Sequence, residues 1–426
     1  MVRLINITFS NSGKRIEYHY VIDAKYQKYF STNNELYAEY DVDVSSVPLS
    51  IAVIPFLSSV MPIAWFLGLD IFVDEVDKNF LESLAEIKIE LSKDWSGREF
   101  HGELNAGKIV TNSISGSRYM MLYSGGVDAL TTYIRQRGQN PDLVTIHGAD
   151  IPIGDRKQWE DLLQFIDAEQ LLAQNKKYRI TSNVRDFYTY KVDLLVNMDW
   201  WGKVQHGLAL LGVTAPLSFV NGYKGVYFAS SQADGFAWGS HPKIDDKVRW
   251  ADLFCKNDGF DLNRQKKIDL IVAFKQRTVS PFRVRVCYSE LNQDLNCSRC
   301  EKCYRTILAI ILAGDNPNKY GFFVDGEIYD HVFDEFRDIR TSRIGLVNLW
   351  KDIEDKAKSN NGFFVFDDRQ KEAAFVQRIA SGELTGMLRS KINSHPRADV
   401  LRFELIHRFQ YSYRAYRFIM KFFRKE

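Results

Sequence analysis

Ile5, Ile7 and Phe9 alternate with polar residues, and Ile16, Tyr18, Tyr20 and Ile22 do the same beyond the turn-forming Asn11-Ser12-Gly13. Side chains that repeat every second residue share one face of a strand, so the pattern predicts a β-hairpin at the start of the chain. Residues 44–69 then carry no charge. Pro48, Pro55 and Pro62 interrupt that run and serines dilute it, which favours two buried elements over a membrane span. Phe80, Leu84, Ile87 and Leu91 recur at helical spacing and predict a helix packed on this unit. Residues 1–112 are read as an α+β domain.

From residue 113 the pattern becomes α/β. Residues 120–123, 143–146, 179–183 and 225–229 read as strands, and residues 159–172 and 199–211 as helices. Trp200, Trp201, Leu208 and Leu211 are assigned to the core, and His206 to hydrogen bonding with polar neighbours. Past Asn316-Pro317-Asn318 the alternation ends, so residues 319–426 are read as a mostly helical extension. Trp350, Ile353, Ala357 and residues 375–384 supply its packing faces. In the last helix Arg414, Arg417, Lys421 and Arg424 share one face, with Phe409, Tyr416, Ile419 and Phe423 on another. That face reads as solvated, with nucleic acid, acidic protein or a membrane surface open as partners.

The most informative local pattern is Ser124-Gly125-Gly126-Val127-Asp128, which ends an apolar strand and opens a helical run. Such a turn presents backbone N–H groups to an anion. The glycines allow close approach, Ser124 adds a donor, and Asp128 could reach a magnesium ion bridging phosphate oxygens. A purely steric turn has the same appearance in sequence. Downstream, Cys287, Cys297, Cys300 and Cys303 contain two overlapping Cys-x-x-Cys steps. They can place four thiolates around zinc, with Arg299, Lys302 and Arg305 near enough to offset the net charge of minus two. Four protein ligands leave no open position, so this zinc would be structural. A redox dithiol and plain buried cysteines are the competing readings.

The loop resembles that of the ATP pyrophosphatase (PP-loop) superfamily, whose members cleave ATP between the alpha and beta phosphates. The loop and cysteines together are similar to the 7-cyano-7-deazaguanine synthase branch, over roughly residues 116–315. The resemblance implies an adenine-nucleotide alpha-hydrolase-like parallel sheet over residues 113–318, with a zinc knuckle. It implies ATP binding by Ser124, Gly125, Gly126 and Asp128, zinc binding by the four cysteines, and a functional role for Arg305. Those loops usually carry Ser or Thr after the Asp. Here Ala129 stands there, so a hydroxyl contact is lost or moved to Thr131 or Thr132. Gly239-Ser240-His241-Pro242, followed by Asp245, resembles a run in the longer relatives found in bacterial operons, some linked to antiviral defence. This makes His241 and Asp245 substrate-side candidates, with a plain surface loop as the rival reading. Ser230-Ser231-Gln232-Ala233-Asp234 ends a strand on the same rim as Ser124. Arg264 or Lys267 could hold a phosphate or carboxylate, with solvated charge pairing as the alternative.

The implied reaction is magnesium-dependent adenylation of a carboxylate or amide oxygen, then attack by ammonia or an amine. The acceptor would be a small deazapurine-like acid or amide, or a protein or peptide. RNA base modification or thiolation, and nucleotide sensing without turnover, are the alternatives. A net charge of +2 over 426 residues does not by itself call for nucleic acid. Four of five cysteines lie in one cluster, and no signal-peptide pattern opens the chain. Both favour a cytoplasmic protein. No membrane partner is expected, and an apolar helical face leaves a homodimer open.

Overall fold

A computed structural model of the protein describes residues 1–32, 35–231, 238–287, 295–339, 344–392 and 396–409. The opening hairpin joins β1 (Val2–Ser10) to β2 (Arg15–Ile22), and its turn places Asn11, Ser12 and Gly13 all at positive φ. Val2 and Leu4 face the core. A register irregularity between Leu4 and Asn6 then shifts the alternation, and Ile5, expected on the inner face, is 54% exposed. The uncharged run folds as two short helices, Leu49–Ala52 and Ile54–Leu67, with residues 54–66 all buried. Ser58 and Ser59 donate to the Pro55 carbonyl, which satisfies their hydroxyls inside the core. No helix among the described residues is long and apolar enough to cross a membrane. The predicted helix Lys78–Asp94 buries Phe80, Leu84, Ile87 and Leu91, and Asp77 caps it by accepting from Phe80 N–H.

The remaining strands are β3 (Glu35–Tyr40), β4 (Ile71–Asp77), β5 (Leu104–Val110), β6 (Arg118–Leu122), β7 (Asp142–His147) and β8 (Lys177–Ser182). They continue with β9 (Tyr223–Ala229), β10 (Arg249–Trp250) and β11 (Leu253–Asp258). Among the described residues all eleven belong to one sheet, ordered β10-β11-β9-β6-β7-β8-β3-β2-β1-β4-β5. The segment β11-β9-β6-β7-β8 is parallel throughout. In order of appearance these five strands run 3-2-1-4-5, with the connection reversing direction between β6 and β9. Ligands of open α/β sheets bind at such a reversal, beyond the carboxyl ends of the strands.

The sheet continues across residue 112, because β3 pairs antiparallel with β8 through Ala38 and Ser182. The core is divided by the two faces of the sheet. Met120 and Leu122 point into one apolar cluster with the N-terminal helices, whereas Met121 and Tyr123 point into the other. Strands buried on both faces alternate in this way. The second cluster also takes in Trp350, Ile353, Ala357, Phe375 and Leu384, so the helical extension packs where its apolar residues predicted. Its described helices are Ile328–Asp338, Ile344–Ser359, Arg369–Ala380, Glu383–Arg389 and Pro396–Arg408. Arg414, Tyr416, Arg417, Ile419, Lys421, Phe423 and Arg424 lie outside the described residues.

Candidate functional site

Beyond the ends of β6, β7 and β9 lies a cavity of about 540 Å³. Ser124, Gly126 and Asp128 line it, so the loop picked out in the sequence sits at the sheet's reversal point. Gly125 has φ +75°, and a Cβ there would stand 2.5 Å from the Phe165 ring. The Tyr123 carbonyl accepts from Thr145, and the Gly125 carbonyl accepts from Arg285 N–H, so the turn is held at both ends. Gly126 is the N-cap of helix Val127–Gln136 and supplies no capping side chain. The first N–H groups of a helix lack intrahelical acceptors, so this end suits an anion.

Helix Arg264–Lys275, capped by Asn263, brings two cations to Asp128. Arg264 Nη2 lies 3.1 Å and Lys267 Nζ 2.7 Å from its two carboxylate oxygens. Burial opposes ionisation of Asp128, but these neighbours outweigh it and hold the carboxyl below its usual range. Lys267 is 2% exposed and also donates to the Ser230 carbonyl. Arg285, Lys302 and Arg305 complete the cationic wall. Arg305 is buried, 3.5 Å from Glu301, and its Nη1 has no hydrogen-bond partner among the described residues. A buried donor of this kind is costly unless a ligand satisfies it.

Arg285 and Arg305 are placed by the cysteine cluster. Cys287 follows Arg285 by two residues, and Cys300 is the N-cap of helix Glu301–Leu312, which carries Lys302 and Arg305. The four sulfur atoms lie within 4.8 Å of one another, with Cys297 to Cys303 at 3.8 Å and Cys287 to Cys300 at 3.9 Å. Tetrahedral zinc with bonds of about 2.3 Å sets sulfurs about 3.8 Å apart, so the cluster can hold such a metal ion. The extension braces this wall. Trp350 donates to Glu301 at 2.8 Å, Asn263 to Asp352 at 3.0 Å, and Lys356 pairs with Asp269 at 3.0 Å.

Thr131, Thr132, His241 and Asp245 lie apart from the cavity. Thr131 is buried and donates to the Val127 carbonyl, and Thr132 donates to the Asp258 carbonyl. Neither hydroxyl reaches the cavity that Ala129 lines. His241 caps the short helix Pro242–Asp245 by accepting from Lys243 N–H and packs its ring on Phe260. Asp245 is fully buried, accepting from Ser240 and Asn257 at 2.7 Å each. Neither His241 nor Asp245 lines the cavity. Ser231 does, Ser230 is buried beside it, and residues 232–234 lie outside the described residues. His147 stacks on Trp159 at 4.6 Å, while Ala149 and Asp150 reach the cavity.

Sequence reasoning missed three cavity residues. Arg285 went unnoticed, although its position two residues before Cys287 places it beside the knuckle. Trp238 carries no motif. His206, assigned to hydrogen bonding with polar neighbours, lines the cavity, and its buried Nδ1 has no hydrogen-bond partner among the described residues.

Asp245 yields a stability prediction. Burial pushes its carboxyl up to about 7, against the hydrogen bonds from Ser240 and Asn257. A carboxyl whose folded value exceeds its unfolded value of about 3.9 takes up a proton on folding. Its stabilising contribution is therefore full below about pH 4 and is lost as pH rises to about 7. Asp245→Asn should remove that slope, making the protein more stable than wild type by about 1–2 kcal/mol at pH 8 but not at pH 4.5. Urea unfolding at the two pH values checks this.

Compared with protein-family models, curated proteins and solved structures, the chain matches none.

Proposed function

We propose that the protein is a magnesium-dependent ATP pyrophosphatase of the 7-cyano-7-deazaguanine synthase-like kind. It adenylates a carboxylate or amide oxygen, on a deazapurine-like or macromolecular acceptor, for attack by ammonia or an amine. The observation that carries this reading is the convergence, at the β6/β9 reversal, of an uncapped helix N-terminus with a buried arginine whose Nη1 lacks a partner among the described residues. The 3-2-1-4-5 parallel order agrees with an adenine-nucleotide alpha-hydrolase-like sheet.

The chain's own groups suffice to describe the binding of ATP. The N–H groups at Gly126 and the helix start, with the Ser124 hydroxyl, would meet phosphate oxygens. Arg285, Lys302 and Arg305 would offset the charge that grows on pyrophosphate as the alpha-beta bridge breaks. Apolar Leu122, Val144, Ile146 and Ile151 line the same cavity and suit a flat base. Magnesium, when bound, would neutralise phosphate charge and would be held by Asp128. Both Asp128 oxygens meet cations in this structure, so the metal would replace an ion pair there. Zinc in the four-cysteine site would be structural, with no open position.

Those ion pairs, together with Ala129, favour a second reading, in which the loop binds nucleotide without turnover. Incubation with magnesium and alpha-labelled ATP, with and without a deazapurine carboxylic acid plus ammonium, separates the two. Acid-dependent AMP and pyrophosphate are expected. ATP binding with no AMP would favour the second reading.

A further inference from the structure

Part of the cavity's lining differs in character from the cationic wall. It consists of Leu210, Phe228, Trp238 and His206. The His206 ring centre stands 5.3 Å from that of Trp201, 5.8 Å from Phe228 and 6.1 Å from Trp238. Burial pulls its imidazole below the usual value, so the ring is neutral at pH 7 and has a lone pair to offer. Nδ1 is buried with no hydrogen-bond partner among the described residues, so the lone pair that meets the cavity would be that of Nε2, and no hydrogen bond among the described residues accounts for the ring's position.

Backbone geometry holds the ring there. Asn197, Met198 and Asp199 are three consecutive non-glycine residues at positive φ, at 52°, 77° and 63°. Each such residue costs on the order of 1 kcal/mol and persists only where neighbours impose it. Here Asp193 accepts from Trp200 N–H, its carbonyl accepts from Met198 N–H, and Asp199 accepts from Gly202 N–H. The strained turn leads into a π-helical turn, Trp201–Gln205, and the next residue is His206. π-turns re-aim the side chains that follow them, and they recur at functional sites. The segment carrying Trp238 lies flat against this turn, because Gly239 donates to the Gly202 carbonyl and accepts from Gly207 N–H. A Cβ on Gly202 or Gly239 would stand 2.9 Å or less from atoms of the other segment.

We propose that His206 is the catalytic base that takes the proton from the attacking nitrogen once the acceptor has been adenylated. This rests on the adenylation reading above. The nitrogen lone pair forms a C–N bond at the activated carbon. The bond from that carbon to the adenylate oxygen breaks, AMP leaves with its electron pair, and the surplus proton passes from nitrogen to His206. No oxidant or further reactant is required. Phe228 and Trp238 give the cavity an apolar surface beside the imidazole, and Asp150 is the other proton acceptor in the lining near it.

The test separates the two half-reactions. His206→Phe preserves the ring packing and removes the base, and His206→Gln keeps a polar side chain of similar reach. With the deazapurine acid and ammonium, both variants should form amide at least 100-fold more slowly than wild type. Acid-dependent exchange of labelled pyrophosphate into ATP should fall far less. The wild-type amide rate should also drop as pH falls through the imidazole's titration, which Asp150, Asp199 and Arg185 influence, and the variants should lack that limb. Equal loss of exchange and amide formation, or loss of neither, would overturn the role of His206 while leaving the adenylation reading intact. Absence of acid-dependent AMP from wild type would remove the adenylation reading, and the proposal with it.

Discussion

Cys300→Ser is expected to release the metal, lower the thermal midpoint by several degrees and weaken ATP binding at least tenfold. Cys300 is both one of the four clustered thiols and the N-cap of helix Glu301–Leu312. Hydrogen bonding from Cys303, outweighing burial, draws this thiol below its usual value. A metal bound by four thiolates contributes directly to folding, and losing one ligand typically forfeits several kcal/mol of that contribution. The damage should reach the cavity, since the same helix carries Lys302, Arg305 and Thr306 to its wall and Arg285 adjoins Cys287. Metal content by mass spectrometry, a melting curve with and without added zinc, and ATP calorimetry test the three parts. Full metal content with an unchanged melt would contradict the structural-metal assignment. Metal loss with unaltered ATP affinity would disconnect the knuckle from the phosphate wall.

What the sequence made legible was local and periodic. The Ser124 loop announced itself because a strand, two glycines and a helix start are contiguous, and the knuckle because three of its cysteines lie within seven residues. The uncharged run was recognisable as two buried elements because prolines interrupt it and serines dilute it, and the structure makes both of them helices. What stayed hidden depended on long-range pairing. Nothing near Ala38 says that β3 will join β8 and carry one sheet across residue 112. His206 read as a hydrogen-bonded partner of polar neighbours, because nothing in its local sequence marks a cavity residue. Only the positive-φ turn and the π-turn before it rotate the ring onto the cavity. His241 and Asp245 misled for the opposite reason, since a dense polar loop can exist to cap a helix and anchor a strand.

Asp128→Asn should leave ATP binding intact or up to about tenfold tighter, while AMP formation falls at least 100-fold. The carboxylate stands between Arg264 and Lys267, and Lys267 is almost fully buried. Removing one partner of a buried ion pair strands the other charge, at a cost that reaches about 3–5 kcal/mol when all groups are buried. Asp128 and Arg264 keep 19% and 22% exposure, so solvent screening lowers the expected loss to about 2 kcal/mol. Because the Asp128 carboxyl is held below its usual value, its contribution is full above about pH 4 and is lost only as pH falls further. The variant's whole destabilisation should therefore appear at pH 7. The same loss frees Arg264, which lines the cavity, for phosphate and removes a negative charge beside it, which is why affinity should hold or rise. Turnover should respond the other way, because the asparagine amide is a poor substitute for a carboxylate in holding magnesium against the phosphates. Tighter ATP binding with undiminished AMP release would mean that Asp128 serves only to set the two cations. Loss of both binding and turnover, in a variant that melts as wild type does, would instead make the carboxylate part of the ATP contact itself.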